Sequence, residues 1–297
     1  MPTAQANGIE LAYESFGSEQ ARPLLLVRGL ATQLIHWDPR LCEQLAEAGH
    51  QVVIFDNRDV GCSTHLREAG APDFETVLRE LAAGRQPIVP YTLRDMAADV
   101  VGLMDALDIG QAHVAGMSMG GMIVQELALS HPERLRSLTS IMSSTGEVDL
   151  DGATPEARSA LLEPSPQERG AYVESIVRAQ RCFAGGGYAL DVPLTRELAG
   201  RAFDRAFDPD GVVRQMAAVA ASGDRRAALA SVRTPALVIH GEQDPLIPAA
   251  AGEATAAAIP GARLEIIPGM GHDLPEGAWP ALVGAISGHT AAAEADG

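Results

Sequence analysis

A serine stands between glycines in the stretch Gly116-Met117-Ser118-Met119-Gly120, which fits the pattern G-x-S-x-G. An apolar run precedes this stretch and apolar residues at helical spacing follow it, so Ser118 falls where a strand becomes a helix. On so tight a turn, the residues two before and two after the serine must have almost no side chain. The pattern predicts that Ser118 is a nucleophile; a serine that only caps the helix is the alternative.

A serine hydroxyl is a poor nucleophile at neutral pH and needs a general base. Asp244 follows the apolar run 235–241, and His272 lies in a glycine-rich loop after the run 262–269. If both runs are parallel strands, these side chains lie at the same sheet edge as Ser118. We predict that His272 takes the serine proton and that Asp244 fixes the tautomer of the imidazole.

Each of these assignments has an alternative. Asp244 precedes Pro245, and an Asp-Pro pair can simply begin a turn. Glu242 and Asp273 are neighbouring carboxylates that compete for the acid role, and His272 could be an ordinary loop histidine.

The oxyanion formed by nucleophilic attack needs two backbone amide donors. We predict the amide of Met119, next to the serine, and the amide of Leu30, in the loop after the apolar run 23–29. Methionine and aromatic side chains near these positions suit an apolar ligand, although core packing explains several of them as well. The predicted pocket residues are Gly29, Trp37, Met117, Phe203 and Phe207.

Short apolar runs alternate with amphipathic stretches along the chain, which indicates an α/β fold with a parallel sheet covered on both faces. The strands are predicted at 9–17, 23–29, 51–58, 112–117, 135–143, 235–241 and 262–269. The helices are predicted near 39–47, 91–109, 248–258 and 278–288 and directly after Ser118, the helix at 91–109 capped by Thr92 and Asp95, with a frayed tail at the end.

The strand signal disappears between residues 145 and 226, where amphipathic helical pieces dominate. We therefore predict a core formed by residues 1–144 and 227–297, interrupted by a helical segment at 145–226.

Composition limits the partners of this chain of 297 residues. Its hydrophobic fraction of 46% indicates a folded protein, and its net charge of −17 disfavours nucleic acid and anionic membranes as partners. The 3 cysteines show no metal-binding spacing, and no signal peptide or membrane span is evident. We expect a cytoplasmic protein that needs no metal or organic cofactor, and the oligomeric state stays open, with a homodimer as one alternative.

Together, "VRGLA", "DNRDVGCS", "GMSMGG", "HGEQDPLIP" and "PGMGHDLP" resemble the α/β-hydrolase family over nearly the whole chain. The resemblance implies a mostly parallel eight-stranded sheet flanked by helices, with a helical cap (145–226) inserted after strand 6. Within the family these motifs look closest to small capped bacterial serine esterases, including the anthracycline (aclacinomycin) methylesterases.

The resemblance also assigns residues around the site. Asp56, Arg58 and Ser63 match a stretch that supports the floor of the site in many capped members. Arg28-Gly29 stands where many members have His-Gly. We expect Arg28 to pair with a carboxylate beneath the site; contact with an anionic substrate group is the alternative.

The leading functional hypothesis is a serine carboxylic-ester hydrolase that acts through an acyl-enzyme on small to medium apolar esters. Its partner would be a small-molecule ester. One alternative is a serine C–C bond hydrolase or a cofactor-free perhydrolase, because "SMGG" is shared with such enzymes. Another is a ligand receptor of the same fold that turns over negligibly.

Overall fold

A computed structural model describes residues 1–146 and 153–295 of the chain. Residues 147–152, which belong to the predicted cap, and residues 296–297 of the predicted frayed tail lie outside the described residues. Within the described ranges, no helix is both long and apolar enough to span a membrane.

The centre of the molecule is an eight-stranded sheet with the spatial order β1-β2-β4-β3-β5-β6-β7-β8. Only β1 and β2 pair antiparallel to their neighbours, so the predicted mostly parallel sheet is confirmed. The strands are β1 (Thr3–Ala6), β2 (Ile9–Phe16), β3 (Arg22–Val27), β4 (His50–Phe55), β5 (Ala112–Met117), β6 (Leu135–Ile141), β7 (Ala236–Gly241) and β8 (Arg263–Ile267).

Both faces of the sheet are covered. Leu25 and Val53 belong to one apolar cluster, whereas their chain neighbours Leu24 and Val52 belong to a second cluster on the other face. This alternation explains why the central strands read as continuous apolar runs in the sequence. The α-helices of the described residues are α1 (Pro39–Glu47), α2 (Phe74–Ala82), α3 (Leu93–Ala106), α4 (Met119–Ser130), α5 (Pro155–Leu162), α6 (Arg169–Phe183), α7 (Val192–Arg205), α8 (Pro209–Ser222), α9 (Arg226–Leu229), α10 (Ala249–Ala258) and α11 (Trp279–Ala295).

The described chain between β6 and β7 contains α5 to α9 and no strand. A buried ion pair attaches this helical segment to the sheet, because Arg214 on α8 binds Asp59, which follows β4. Its separate identity as a cap domain stays a prediction.

Two parts of the element pattern differ from the sequence prediction. The short strand β1 and helix α2 were not predicted. Helix α11 continues to Ala295, whereas the sequence predicts an end near residue 288 and a frayed tail. The contacts of Glu294 explain the longer helix, since its carboxylate binds Arg136 and lies 3.1 Å from Nε2 of the buried His113.

Candidate active site

Ser118 occupies the sharp turn between β5 and α4. Its backbone angles of φ 57° and ψ −123° are strained for a residue with a side chain. A Cβ atom on Gly116 would lie 2.1 Å from the carbonyl oxygen of Gly120, and one on Gly120 would lie 2.1 Å from that of Val27. The two glycines are therefore required sterically, for the reason that the sequence pattern predicts.

The structure brings Ser118, His272 and Asp244 together at the carboxyl edge of the sheet. The Oγ atom of Ser118 lies 3.1 Å from Nε2 of His272, and Nδ1 of His272 lies 2.7 Å from Oδ2 of Asp244. These residues follow β5, β8 and β7, which run parallel, so the predicted strand ends do meet. The geometry forms a continuous path for a proton from the hydroxyl to the imidazole.

Asp244 is held as an anion. Burial alone would raise its pKa, but the adjacent His272 and hydrogen bonds from His240, His272 and the Ile247 amide outweigh burial and lower the pKa to about 2. Its other oxygen, Oδ1, accepts from the amides of Leu246 and Ile247 at 2.9 and 2.8 Å. The carboxylate is thus fixed in orientation and ionised at neutral pH.

The two competing carboxylates have other surroundings. Glu242 accepts a hydrogen bond from the amide of Gly269 at 2.9 Å. Asp273 lines the cavity described below, its Oδ1 is buried without a partner, and burial raises its pKa to about 6. Neither is hydrogen-bonded to the ring of His272, which binds Asp244.

The loop after β3 lies directly against the serine. A Cβ atom on Gly29 would lie 3.0 Å from Cβ and 3.4 Å from Oγ of Ser118. The amides of Leu30 and Met119 donate to no described residue, which leaves both free for a ligand oxygen. The next amide, that of Ala31, donates to Oε1 of Gln215 on α8 at 3.0 Å.

A cavity of about 1400 Å³ lies between this edge of the sheet and the helices that follow β6. His272 and the predicted residues Leu30, Met117 and Phe207 line it. Helices α6 to α8 contribute further lining residues, among them Tyr172, Leu194 and Met216.

Three predicted pocket residues, Gly29, Trp37 and Phe203, do not line this cavity, and Gly29 lies against Ser118 instead. Trp37 is only 1% exposed and packs in the apolar cluster beneath the guanidinium of Arg28, because its large ring fills the space next to α1. Phe203 stacks on Tyr172 and Phe207 at centroid distances of 5.3 and 4.7 Å, so it supports lining residues from behind. Contacts with neighbouring side chains therefore account for the positions of Trp37 and Phe203.

The prediction that Arg28 pairs with a carboxylate beneath the site is wrong. Among the described residues, the guanidinium makes one hydrogen bond, from Nη1 to the thioether sulfur of Met117 at 3.3 Å. Its Nε is buried without a partner, and its plane lies over the ring of Trp37 at 4.8 Å. Burial lowers the pKa of Arg28 to about 10, which still leaves it a cation at neutral pH.

The three residues that the resemblance assigns to the floor of the site, Asp56, Arg58 and Ser63, each have buried polar partners. Asp56 accepts from the amides of Leu34 and Cys62, and the hydroxyl of Ser63 donates to the Asp56 carbonyl at 2.6 Å. Arg58 forms a buried pair with Asp99.

Sequence reasoning missed the polar side chains of the helical segment that reach these loops. Gln215 is fully buried, and its amide nitrogen donates to the carbonyl of Arg58 at 2.8 Å. Arg205 on α7 binds Asp56 at 3.0 Å. The available signal was the polar pair Arg214 and Gln215 inside the otherwise apolar stretch "VVRQMAAVAA".

One cluster has the composition of a metal site. Ligand atoms of Asp59, His65 and Asp208 lie within 4.8 Å of one another. The guanidinium of Arg214 already binds both carboxylates, at 2.8 and 3.3 Å, and Tyr91 donates to Asp59. The cluster is therefore a network of ion pairs and hydrogen bonds in which Arg214 binds both carboxylates.

Comparison with known proteins agrees with this fold. Residues 22–277 match the family model described as alpha/beta hydrolase fold. The chain is 33% identical to a rhodomycin D methylesterase of Streptomyces sp. strain C5 and 31% identical to one of Streptomyces peucetius, each alignment covering 99% of both chains. The crystal structure of an enol-lactonase from Burkholderia xenovorans LB400 superposes with a TM-score of 0.74 at 25% identity, covering 98% of this chain and 100% of the other.

The chain therefore belongs to the alpha/beta hydrolase fold family. It is a hydrolase of the esterase type, and the predicted likeness to the anthracycline methylesterases is confirmed.

Proposed function

We propose that the chain hydrolyses small to medium carboxylic esters with apolar groups through an acyl-enzyme formed on Ser118. The observation that carries this proposal is the hydrogen-bonded series Ser118, His272 and Asp244, with contacts of 3.1 and 2.7 Å. In it, the base can take the serine proton and the acid can stabilise the imidazolium that results.

The reaction takes place in two steps. Oγ of Ser118 attacks the ester carbonyl carbon while its proton passes to Nε2 of His272, and the tetrahedral intermediate then expels the alcohol, which takes that proton. In the second step, His272 removes a proton from water, the hydroxide oxygen attacks the acyl carbon, and the acid leaves as Oγ recovers its proton.

The carbonyl oxygen becomes negative in both steps. The free amides of Leu30 and Met119 are the donors proposed to hold it, and Gly29 allows the loop to approach the serine. Met119 is the first residue of α4, so the positive end of the helix dipole adds to this stabilisation. Removal of one such donor typically slows an enzyme by about 10²–10³-fold.

We propose that residues 145–226 act as a cap that selects the substrate. Described residues of α6, α7 and α8 supply much of the cavity lining, and apolar groups such as Leu194, Phe207 and Met216 face it. The two methylesterase relatives are named for rhodomycin D. Their overall likeness, together with the 1400 Å³ cavity, supports esters with sizeable apolar groups for this chain.

Hydrolysis rates across a series of p-nitrophenyl esters of increasing acyl length test this proposal. We expect turnover that rises with acyl length and then falls once the chain exceeds the cavity. A Met216→Trp variant, which narrows the cavity, should move the cut-off to shorter esters, whereas Ile88→Trp, at an exposed position that does not line the cavity, should not. Turnover of vinylogous diketone acids without any ester turnover would overturn ester hydrolysis in favour of C–C bond hydrolysis.

A further inference from the structure

Arg28 is a buried cation without a counter-charge in the described part of the chain. Its side chain is enclosed by Trp37 and Met117, and the residue is only 8% exposed. The one hydrogen bond of the guanidinium goes to a thioether sulfur, which is a weak acceptor, and Nε has no partner. Cation–π contact with an indole compensates only part of the cost of burying such a charge.

Two other buried arginines, Arg58 and Arg214, are paired differently. Arg58 binds Asp99 through two hydrogen bonds of 2.6 Å, and Arg214 binds Asp59 through two hydrogen bonds of 2.9 and 2.8 Å. Both are planar two-point contacts of the kind that guanidinium groups form with carboxylates. Arg28 forms no such contact with a carboxylate of the described residues.

Arg28 lines the catalytic cavity and lies beside the reacting residues. Gly29, the next residue, contacts Ser118, and Met117, which accepts the hydrogen bond from Arg28, precedes Ser118. A ligand group held by Arg28 would thus lie in the same cavity as the carbonyl carbon that Ser118 attacks.

The neighbouring ionisable groups leave this positive charge uncompensated. Burial and the charge of Arg28 lower the pKa of His36 to about 4, so His36 is neutral at pH 7. Among the carboxylates that line the cavity, Asp38 binds Arg40 and Asp59 binds Arg214, and Asp273, the residue after His272, forms no ion pair with Arg28. A substrate anion that enters the cavity therefore meets a guanidinium that binds no carboxylate of the described residues.

We infer that Arg28 binds a carboxylate of the substrate, so that the preferred esters are monoesters of short dicarboxylic acids. The inference rests on the proposed ester hydrolysis and narrows its substrate class. The acid group would form the two-point contact that Arg58 and Arg214 make within the protein, while the apolar remainder of the ester occupies the cavity beneath the helices. Binding the acid in this way would also fix the orientation of the scissile carbonyl.

Paired substrates test this inference. The monomethyl esters of succinic, glutaric and adipic acid are compared with the matching carboxamides, which have the same shape without the charge. We expect kcat/KM of the best acid ester to exceed that of its carboxamide by at least about tenfold, equivalent to about 1.4 kcal/mol. Arg28→Met should abolish this preference by lowering kcat/KM of the acid ester alone. Arg28→Lys should keep part of the preference, because the ammonium keeps the positive charge but cannot make the planar two-point contact of a guanidinium.

The control is Arg196→Met, which removes an exposed arginine paired with Glu174 on the helical segment and should leave the preference unchanged. Equal losses for both esters in Arg28→Met, or a wild type that hydrolyses both equally, would overturn the inference while ester hydrolysis itself stands. If neither ester is hydrolysed, the proposed function fails separately.

A binding measurement on the wild-type protein covers the case in which Arg28→Met does not fold or no ester is turned over. By calorimetry we expect glutarate monoamide to bind at least about tenfold more tightly than glutaric diamide. Equal binding of the two amides would overturn the inference.

Discussion

The hydroxyl oxygen of Ser118 lies 3.1 Å from Nε2 of His272, although 154 positions separate the two residues in the chain. The loop after β8 reaches the serine because the helical segment holds it in place. The amide of His272 donates to the carbonyl of Phe183, the last residue of α6, at 2.8 Å. A Cβ atom on Gly271 would lie 2.1 Å from the amide nitrogen of Gly185, so the two loops can pack only without a side chain there.

Replacement of the nucleophile is the first prediction. We expect Ser118→Ala to lower ester turnover by about 10⁴-fold or more while the fold stays intact. The measurement is kcat for a p-nitrophenyl ester together with the melting temperature. Ser130→Ala, at the end of the same helix, should keep full activity, since its hydroxyl binds only the Glu126 carbonyl. Substantial residual turnover in Ser118→Ala would show that another residue attacks the ester.

Stability in acid should depend on Asp244. Its pKa is about 2 in the folded protein and 3.8 when exposed, so the ionised form contributes stability above about pH 4 that is lost as the pH falls towards 2. At pH 3 this loss is about 1 kcal/mol. We expect the free energy of unfolding of Asp244→Asn, measured in urea, to fall less between pH 5 and pH 3 than that of the wild type. Equal falls in the two proteins would contradict the depressed pKa.

The pH dependence of stability that comes from Asp273 should have the opposite sign to that from Asp244. Its pKa is raised to about 6, so the folded protein favours the protonated form, and stability is lost as the pH rises from about 4 through 6. The loss amounts to at most about 3 kcal/mol. We expect Asp273→Asn to gain stability relative to the wild type between pH 4 and pH 8 in the same urea experiment. A difference between the two proteins that does not change with pH would contradict this prediction.

Gln215 should position the loop that donates to the oxyanion. Gln215→Met keeps the volume but loses the hydrogen bonds to Ala31 and Arg58, and a small displacement of Leu30 should lower kcat by about 10–100-fold with little change in KM. Gln86→Met is the control, because this glutamine also binds α8, at the carbonyl of Ala221, away from the loop. A change in stability with unchanged kcat would limit Gln215 to a structural role.

The buried pair between Arg214 and Asp59 should stabilise the junction of the helical segment with the core. Arg214→Met leaves Asp59 ionised and without its cation, so we expect the free energy of unfolding to fall by about 3–5 kcal/mol. The double variant with Asp59→Asn should recover part of this loss, because the unpaired charge is removed as well. If the double variant is less stable than Arg214→Met, the explanation by an unpaired charge is wrong.

Much of the fold could be predicted from local sequence. The strand β5 and the helix α1 begin and end at the residues that the sequence predicts, 112–117 and 39–47. The capping box of Thr92 and Asp95 is also present. By contrast, β1 consists of Thr3–Ala6, which has too few apolar residues to show a strand pattern, and forms because it pairs with β2.

Part of the site could likewise be predicted from the sequence, and part could not. Ser118, Asp244 and His272 could be predicted because each follows an apolar strand, and parallel strands end at one edge. The surroundings of Arg28 and Trp37 could not, since these depend on which side chains approach from distant segments. A guanidinium lacking a carboxylate breaks the usual pairing rule, and no local pattern in "VRGLA" indicates it.

The most direct test of the account is covalent labelling with a fluorophosphonate, followed by mass spectrometry of the digested protein. A serine activated by a base attacks the phosphorus and keeps the phosphonyl group. We predict one adduct on Ser118 in the wild type, at most a trace of that adduct in His272→Ala, and protection by a slowly hydrolysed ester. An unlabelled Ser118 in folded wild-type protein, or an equal adduct in His272→Ala, would contradict the proposed acyl-enzyme mechanism.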